Sequence, residues 1–128
     1  MRFIPTRFHA PLDYIVGAGL IAAPWLLQFS DHTAPTVISV VLGAGLILYS
    51  LFTRYELGVW KVAPMAVHNL IDIVAGALLA AAPWLFGFAD DGPKVWVTFV
   101  VVGVAAIFLG LTTKQAGGYR YGNSAVAA

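Results

Sequence analysis

Four long apolar stretches make up most of this chain and restrict what it can fold into. They cover residues 12–29, 35–52, 65–88 and 95–112, and contain only three charged or histidine side chains: Asp13, His68 and Asp72. A helix of about 20 residues spans the hydrocarbon core of a bilayer and bonds every backbone N–H within its own segment. Membrane-spanning strands alternate in polarity, and these stretches do not. The pattern predicts an all-α fold of four transmembrane helices.

The composition agrees with a lipid environment. Hydrophobic residues make up 60% of the chain and charged residues 10%, whereas soluble domains carry about 25% charged residues. A net charge of +1 gives no basic face for nucleic acid, and the absence of cysteine excludes disulfides and thiol chemistry. We therefore expect one membrane domain over residues 1–128, with the lipid bilayer as its surroundings and no nucleic-acid partner.

The second half of the chain repeats the first at an offset of 59 residues. Residues 22–31, AAPWLLQFSD, return at 81–90 as AAPWLFGFAD. The same offset aligns His9 with His68, Asp13 with Asp72, Pro24 and Trp25 with Pro83 and Trp84, and Thr53 with Thr112. This similarity predicts an internal duplication, with repeat 1 at about 5–53, repeat 2 at about 64–112 and a flexible tail at 115–128. Because each repeat has two spans, we expect parallel repeats related by a pseudo-two-fold axis along the membrane normal.

Positive charge is concentrated on one side of the predicted bundle. That side holds both termini and the 54–64 loop, with Arg2, Arg7, Arg54, Lys61, Lys114 and Arg120; the other side has only Lys94, beside Asp31, Asp90 and Asp91. Positively charged loops stay in the cytoplasm. The pattern predicts a protein of the cytoplasmic (inner) membrane with both termini in the cytoplasm.

Two copies of a proline–tryptophan motif, each ending a span that opens with H-x-x-x-D, resemble the SPW-repeat family of small prokaryotic membrane proteins. The resemblance covers about residues 5–113. The serine of the family motif is replaced by Ala23 and Ala82 here, so no serine hydroxyl can act at that position. The resemblance implies an integral membrane domain, sometimes attached to other modules, and implies no established activity.

The proline of each motif removes a helical hydrogen bond. Pro24 frees the carbonyl of Leu20, and Pro83 frees that of Leu79. A free carbonyl in lipid costs several kcal/mol, roughly, unless a donor reaches it, and the small residues beside each proline leave room for one. We interpret the motifs as kinked helix ends with aromatic anchors; a hinge that gates a ligand site is the alternative.

Each repeat places a histidine four residues before an aspartate, so that the two side chains share one helix face. Asp72 is expected about 12 Å along its helix, near the cytoplasmic edge of the hydrocarbon. For repeat 1 the sequence leaves two alternatives. The helix begins at Pro11, which puts Asp13 in its first turn, or it begins near Pro5 and kinks. Ionisable groups within membranes face the bundle interior and find partners, so His9, Asp13, His68 and Asp72 predict a buried polar cluster that fixes helix register.

Other roles of this cluster remain open at the level of sequence. A proton or cation relay would use the carboxylates of the cluster as carriers. Two histidines and two aspartates are also permitted metal ligands, although their spacing is not diagnostic of a metal site. Haem could be held between His9 and His68. His32, in an outer loop, is interpreted as solvated. The sequence contains no enzyme motif, and we assign no metal and no cofactor to it. It favours a non-catalytic anchor, scaffold or accessory subunit. Such a module is expected to bind a protein partner or to form a homo-oligomer. A small transporter and a metal or haem protein are the alternatives.

Overall fold

A computed structural model describes residues 1–115 as four α-helices. They are α1 (Thr6–Leu26), α2 (Thr33–Leu51), α3 (Met65–Leu85) and α4 (Pro93–Thr112), with a short 3-10 turn at Ala89–Asp91. Most helix–helix contacts join α1 to α2 and α3 to α4, so the chain forms two helical hairpins. The prediction of an all-α four-helix fold is confirmed. The flexible tail was predicted at residues 115–128, and all of it after residue 115 lies outside the described residues.

Three helices are long and apolar enough to cross a membrane: α2, α3 and α4, with mean hydropathies of 1.9, 1.7 and 2.4. The first helix has the same length as α3, 21 residues. It carries Arg7, His9 and Asp13, which make it less apolar, so its crossing of the membrane stays a prediction. At 1.5 Å per residue each helix is about 30 Å long, which matches the hydrocarbon core.

The buried positions of the two hairpins correspond. The buried positions of α1 recur in α3 at an offset of 59 residues. The buried positions of α2 recur in α4 at an offset of 60 residues. The buried residues of α2 are Pro35, Ser39, Gly43 and Ser50, and those of α4 are Val95, Phe99, Gly103 and Gly110. The offset grows by one because the connection 86–92 is one residue longer than the connection 27–32. Thr53 therefore corresponds to Thr113, and the sequence alignment of Thr53 with Thr112 is wrong. A two-fold axis between the repeats stays a prediction.

The first helix begins before its internal proline. Since α1 starts at Thr6 and contains Pro11, the alternative in which the helix begins at Pro11 is wrong. Asp13 is the eighth residue of α1, as Asp72 is the eighth residue of α3. The helix-dipole effect fades beyond the first turn, so it does not explain a carboxylate at either position.

The proline–tryptophan motifs lie in the last turns of α1 and α3 and lead into the same helix cap. The Phe29 N–H donates to the carbonyl of Pro24 at 2.8 Å, and the Phe88 N–H donates to that of Pro83, also at 2.8 Å. This is the 6→1 bond of a Schellman motif. Both phenylalanines are buried in the apolar core. The repeated motif therefore ends each helix and turns the chain back into the core.

The residue before each of these phenylalanines has a left-handed backbone, with φ of 61° at Gln28 and 73° at Gly87. A glycine adopts this conformation without steric cost, and a glutamine does not. Trp25 and Trp84, one turn earlier, are both 60% exposed on the outside of the bundle. That position suits an indole at the level of the lipid headgroups.

The carbonyl freed by Pro24 has found a donor. The Ser39 hydroxyl of α2 donates to the carbonyl of Leu20 at 2.5 Å. In the second hairpin the position that corresponds to Ser39 is Phe99, which has no donor to offer the carbonyl of Leu79. The sequence left open whether another helix or a water reaches the freed carbonyl; in the first repeat the donor comes from helix α2.

The bundle has three layers along its length. At the end near the two short connections, an apolar core joins both hairpins through Leu20, Ala23, Phe29, Leu79, Ala82, Phe88, Val95 and Phe99. In the middle all four helices line a largely apolar cavity of about 260 Å³, and Asp13, Tyr49 and Asp72 reach its wall. At the opposite end, where the 52–64 loop and the N-terminal residues lie, the histidines and aspartates meet.

Candidate functional site

The four predicted polar residues converge at one end of the bundle. His9 and Asp13 face the interior from α1, and His68 and Asp72 face it from α3. Both imidazoles are fully buried, and both aspartates are 4% exposed. The four-residue spacing aligns each histidine with the aspartate of its own helix, and the packing of the hairpins adds the aspartate of the other helix. We call this group the His–Asp cluster.

Each imidazole of the cluster contacts both carboxylates through Nε2. His9 Nε2 lies 2.9 Å from Asp13 Oδ1 and 3.0 Å from Asp72 Oδ2. His68 Nε2 lies 3.0 Å from Asp13 Oδ2 and 3.4 Å from Asp72 Oδ2. Neither Nε2 atom, nor Asp72 Oδ2, makes an aligned hydrogen bond. The contacts are therefore close charge contacts in which the nitrogens and oxygens surround a common centre.

The other nitrogen of each imidazole is held by a threonine from the other repeat. His68 Nδ1 lies 2.6 Å from Thr53 Oγ1, and His9 Nδ1 lies 2.6 Å from Thr113 Oγ1. The Thr53 hydroxyl donates its only proton to the carbonyl of Tyr49 at 2.7 Å. It must therefore accept from His68, which places a proton on Nδ1 of that imidazole. A neutral His68 then presents a lone pair at Nε2, toward the carboxylates.

Each carboxylate of the cluster accepts a hydrogen bond from a tyrosine. The Tyr55 hydroxyl donates to Asp13 Oδ2 at 2.8 Å, and the Tyr49 hydroxyl donates to Asp72 Oδ1. Burial raises the pKa of Tyr55, and the nearby charge of Asp13 raises it further, so Tyr55 stays a neutral donor. Hydroxyl groups thus orient all four members of the cluster.

Chain segments close the site toward the end of the bundle. Tyr55, in the 52–64 loop, is fully buried over the cluster. The Tyr14 hydroxyl donates to the carbonyl of Leu57 at 2.8 Å and ties the same loop to α1. On the other side, Arg2 donates to the carbonyls of Gly110 and Thr113 at 2.6 and 2.8 Å. These contacts close this end of the bundle over the cluster, while Asp13 and Asp72 still reach the wall of the central cavity.

The geometry limits what the site can hold. Four charge-bearing groups at contact distance can share protons or coordinate one small cation. The two imidazoles also contact each other edge to face, with ring centroids 5.3 Å apart. A porphyrin does not fit between rings that touch, so this arrangement does not support the haem alternative.

His32 has a partner that the sequence interpretation missed. Its Nδ1 lies 3.2 Å from Asp91 Oδ2 in the other outer connection, and the imidazole is 39% exposed. The interpretation of His32 as merely solvated is therefore wrong. The contact bridges the two outer connections, and exposed pairs of this kind add little stability.

Sequence reasoning also missed the four hydroxyls that support the cluster: Thr53, Thr113, Tyr49 and Tyr55. Tyr49 lies in α2 within an apolar stretch, and Tyr55 lies in a loop, so neither stands out by periodicity. The threonines could have been found by aligning the second helices of the repeats at an offset of 60, which pairs Thr53 with Thr113 and Gly43 with Gly103.

The family model of the SPW repeat domain matches residues 7–113. The chain belongs to the SPW repeat family. Comparison with curated proteins and with solved structures gives no match. Family membership, together with three apolar helices of spanning length, makes this SPW-repeat chain a membrane protein. The match includes all four residues of the His–Asp cluster and both helix caps.

Proposed function

We propose that this SPW-repeat chain is a non-catalytic integral membrane module, which serves as an anchor, scaffold or accessory subunit of a membrane assembly. The observation that carries the proposal is the enclosure of the His–Asp cluster. The two histidines of the cluster are fully buried and each aspartate is 4% exposed. The cluster therefore offers little surface to a soluble substrate, which supports a module that acts through its outer surface.

That outer surface is apolar on every helix. Exposed side chains include Ile15 on α1, Leu48 on α2, Val74 on α3 and Val101 on α4. Such faces suit lipid or the helices of another membrane protein, since helix association in lipid depends on close packing. Outside the four helices, the described chain has only its two ends and the connections 27–32, 52–64 and 86–92. A partner protein or a second copy of the chain is expected to pack against the helix faces.

The proposed location is the cytoplasmic membrane, with both termini in the cytoplasm. Arg2, Arg54, Lys61 and Lys114 lie at the end of the bundle that holds the N-terminal segment and the 52–64 loop. The Ile4 carbonyl accepts from the Lys114 N–H at 2.8 Å, so the first residues and the end of α4 lie next to each other. The positive-inside rule then supports a cytoplasmic position for this end.

In-cell photo-crosslinking tests the scaffold role. A photoreactive residue is placed at Val41 or at Val101, which face outward on α2 and α4. If the protein is a scaffold, at least one of these positions gives a discrete protein adduct. The mass of that adduct tells whether the crosslinked molecule is a partner protein or a second copy of the chain. Position Phe99, which is fully buried in the core, serves as the control and should give none. Adducts with lipid alone at both outward positions would contradict the proposal.

The central cavity favours a second candidate, a small proton or solute transporter. The cavity of about 260 Å³ has apolar walls, and Asp13, Tyr49 and Asp72 form its polar part. A transporter should drive flux in liposomes and lose it in the double variant Asp13→Asn with Asp72→Asn. A scaffold shows no flux in either protein, and its crosslinked partner persists in the variant if the helices still form.

A further inference from the structure

We propose that His9, Asp13, His68 and Asp72 bind one divalent transition-metal ion, for which Zn²⁺ is the reference. The ligand atoms are His9 Nε2, His68 Nε2 and one carboxylate oxygen from each aspartate. One ligand atom from each residue lies within 4.8 Å of the others. This inference goes beyond the scaffold role and does not depend on it.

The spacing of the ligand atoms fits a tetrahedral ion. Zinc bonds to imidazole nitrogen and carboxylate oxygen are about 2.0–2.2 Å long, which sets neighbouring ligand atoms roughly 3.3 Å apart. With Asp13 Oδ1 and Asp72 Oδ2 as the carboxylate ligands, His9 Nε2 lies 2.9 and 3.0 Å from the two oxygens, and His68 Nε2 lies 3.4 Å from Asp72 Oδ2. All four ligand atoms lie within 4.8 Å of one another, so an ion would draw the more distant pairs inward. Two nitrogens and two oxygens are a donor set that Zn²⁺, Fe²⁺ and Mn²⁺ accept.

Three buried atoms point to a missing ligand. The Nε2 atoms of His9 and His68 and the Oδ2 atom of Asp72 have no aligned hydrogen-bond partner. A buried polar atom without a partner costs about 1–3 kcal/mol. All three atoms face the centre of the cluster, so a single cation there satisfies them together. An imidazolium at His9 or His68 would instead aim its Nε2–H along the line to one carboxylate oxygen.

The outer atoms of the four residues form the support that a metal site requires. Each residue turns one atom to the centre and has its other nitrogen or oxygen held by a hydroxyl. The pairs are His9 with Thr113, His68 with Thr53, Asp13 with Tyr55 and Asp72 with Tyr49. Protein metal ligands are oriented by outer partners of this kind. Because Thr53 holds the proton on Nδ1 of His68, the lone pair needed for coordination lies at Nε2.

Charge balance favours a divalent ion. Two ionised aspartates with neutral imidazoles leave a charge of −2 in the interior, and buried charge is costly unless it is compensated. A divalent cation brings the site to zero net charge with both imidazoles neutral. The competing arrangement is two added protons, which gives two imidazolium–carboxylate pairs and no metal.

Metal analysis of the full chain, purified in detergent, separates these two arrangements. The proposal expects about one equivalent of a transition metal per chain. It also expects that the chelator-stripped protein binds Co²⁺ with the intense visible absorption of a four-coordinate ion. No bound metal after purification, together with no Co²⁺ spectrum and no retained Zn²⁺ after desalting, would overturn the proposal and leave the protonated pairs.

Three variants localise the ion. Asp72→Asn removes a ligand with little change in shape and should abolish stoichiometric binding, whereas His32→Ala, which alters the histidine–aspartate contact outside the cluster, should retain it. Thr53→Val keeps all four ligands and should weaken Zn²⁺ affinity about 10–100-fold in a chelator competition. Full metal retention by Asp72→Asn would refute the assignment. Far-UV circular dichroism identifies a misfolded variant, and the Co²⁺ spectrum of the unmodified chain decides the question in that case.

Discussion

Replacing Gly43 by alanine should loosen the first hairpin, because this glycine of α2 lies directly against the backbone of α1. A methyl group there would lie 2.6 Å from the carbonyl oxygen of Gly17 and 2.9 Å from Cβ of Leu20. Both neighbours belong to the rigid part of α1 and cannot rotate away. In the same helix Gly45 has no heavy atom within 4 Å of an added methyl group, so Gly45→Ala is the matched control.

The size of the effect follows from two opposing terms. An ordinary carbon–oxygen contact is about 3.3–3.6 Å, so the helices must separate locally by roughly 0.7–1 Å. Overpacking of this kind costs about 1–3 kcal/mol. Both substitutions gain the same helix propensity, about 1 kcal/mol. The free energy of unfolding of Gly43→Ala should therefore be about 1–3 kcal/mol below that of Gly45→Ala, since the propensity term cancels in the difference.

The measurement is equilibrium unfolding of the two variants in mixed micelles, with sodium dodecyl sulfate as denaturant and circular dichroism as the signal. A second comparison uses Gly103 of α4, where a methyl group would lie 2.5 Å from the carbonyl oxygen of Gly76 and 2.6 Å from the backbone nitrogen of Ala80. Gly103→Ala should be destabilised at least as strongly. Equal stabilities of Gly43→Ala and Gly45→Ala would refute the reasoning that close backbone contact holds the hairpins.

Three further features of the fold can be tested by the same unfolding method. Ser39→Ala removes the donor to the carbonyl of Leu20 and should cost about 1–3 kcal/mol; a neutral result would mean that water replaces the hydroxyl. Gly87→Ala puts a side chain on a left-handed backbone and should cost about 1–2 kcal/mol, whereas Gln28→Gly relieves the same strain and should be neutral or stabilising; the reverse order would contradict the helix-cap assignment. His32→Ala should change stability by no more than about 1 kcal/mol, and a larger loss would show that the contact between the outer connections holds the bundle together.

Several features of this fold could be predicted from the sequence because they depend on spacing. Apolar stretches of spanning length predicted the four helices. An offset of 59 residues placed His9 with His68 and Asp13 with Asp72 at matching depths of α1 and α3. These inferences need only helix geometry and the fact that ionisable groups avoid lipid.

The support of the cluster could not be predicted in the same way, because it depends on how the hairpins pack. Tyr55 reaches Asp13 from a loop whose path no periodic pattern defines. The extra residue in the connection before α4 changes the offset from 59 to 60, which concealed the correspondence of Thr53 with Thr113. The start of α1 was left open because Pro11 can begin a helix or lie within one. In the structure the turn before Pro11 is helical, and its Thr6 hydroxyl donates to Glu56 of the 52–64 loop at 2.9 Å.

The exchange of threonines between the repeats makes the two hairpins depend on each other. Thr53 closes repeat 1 but holds His68 of repeat 2, and Thr113 closes repeat 2 but holds His9 of repeat 1. A single hairpin therefore cannot supply the threonine hydroxyl that contacts Nδ1 of its own histidine. The two hairpins complete these contacts only as a pair, and the loss of one hairpin would leave a buried imidazole nitrogen of the other without its hydroxyl partner.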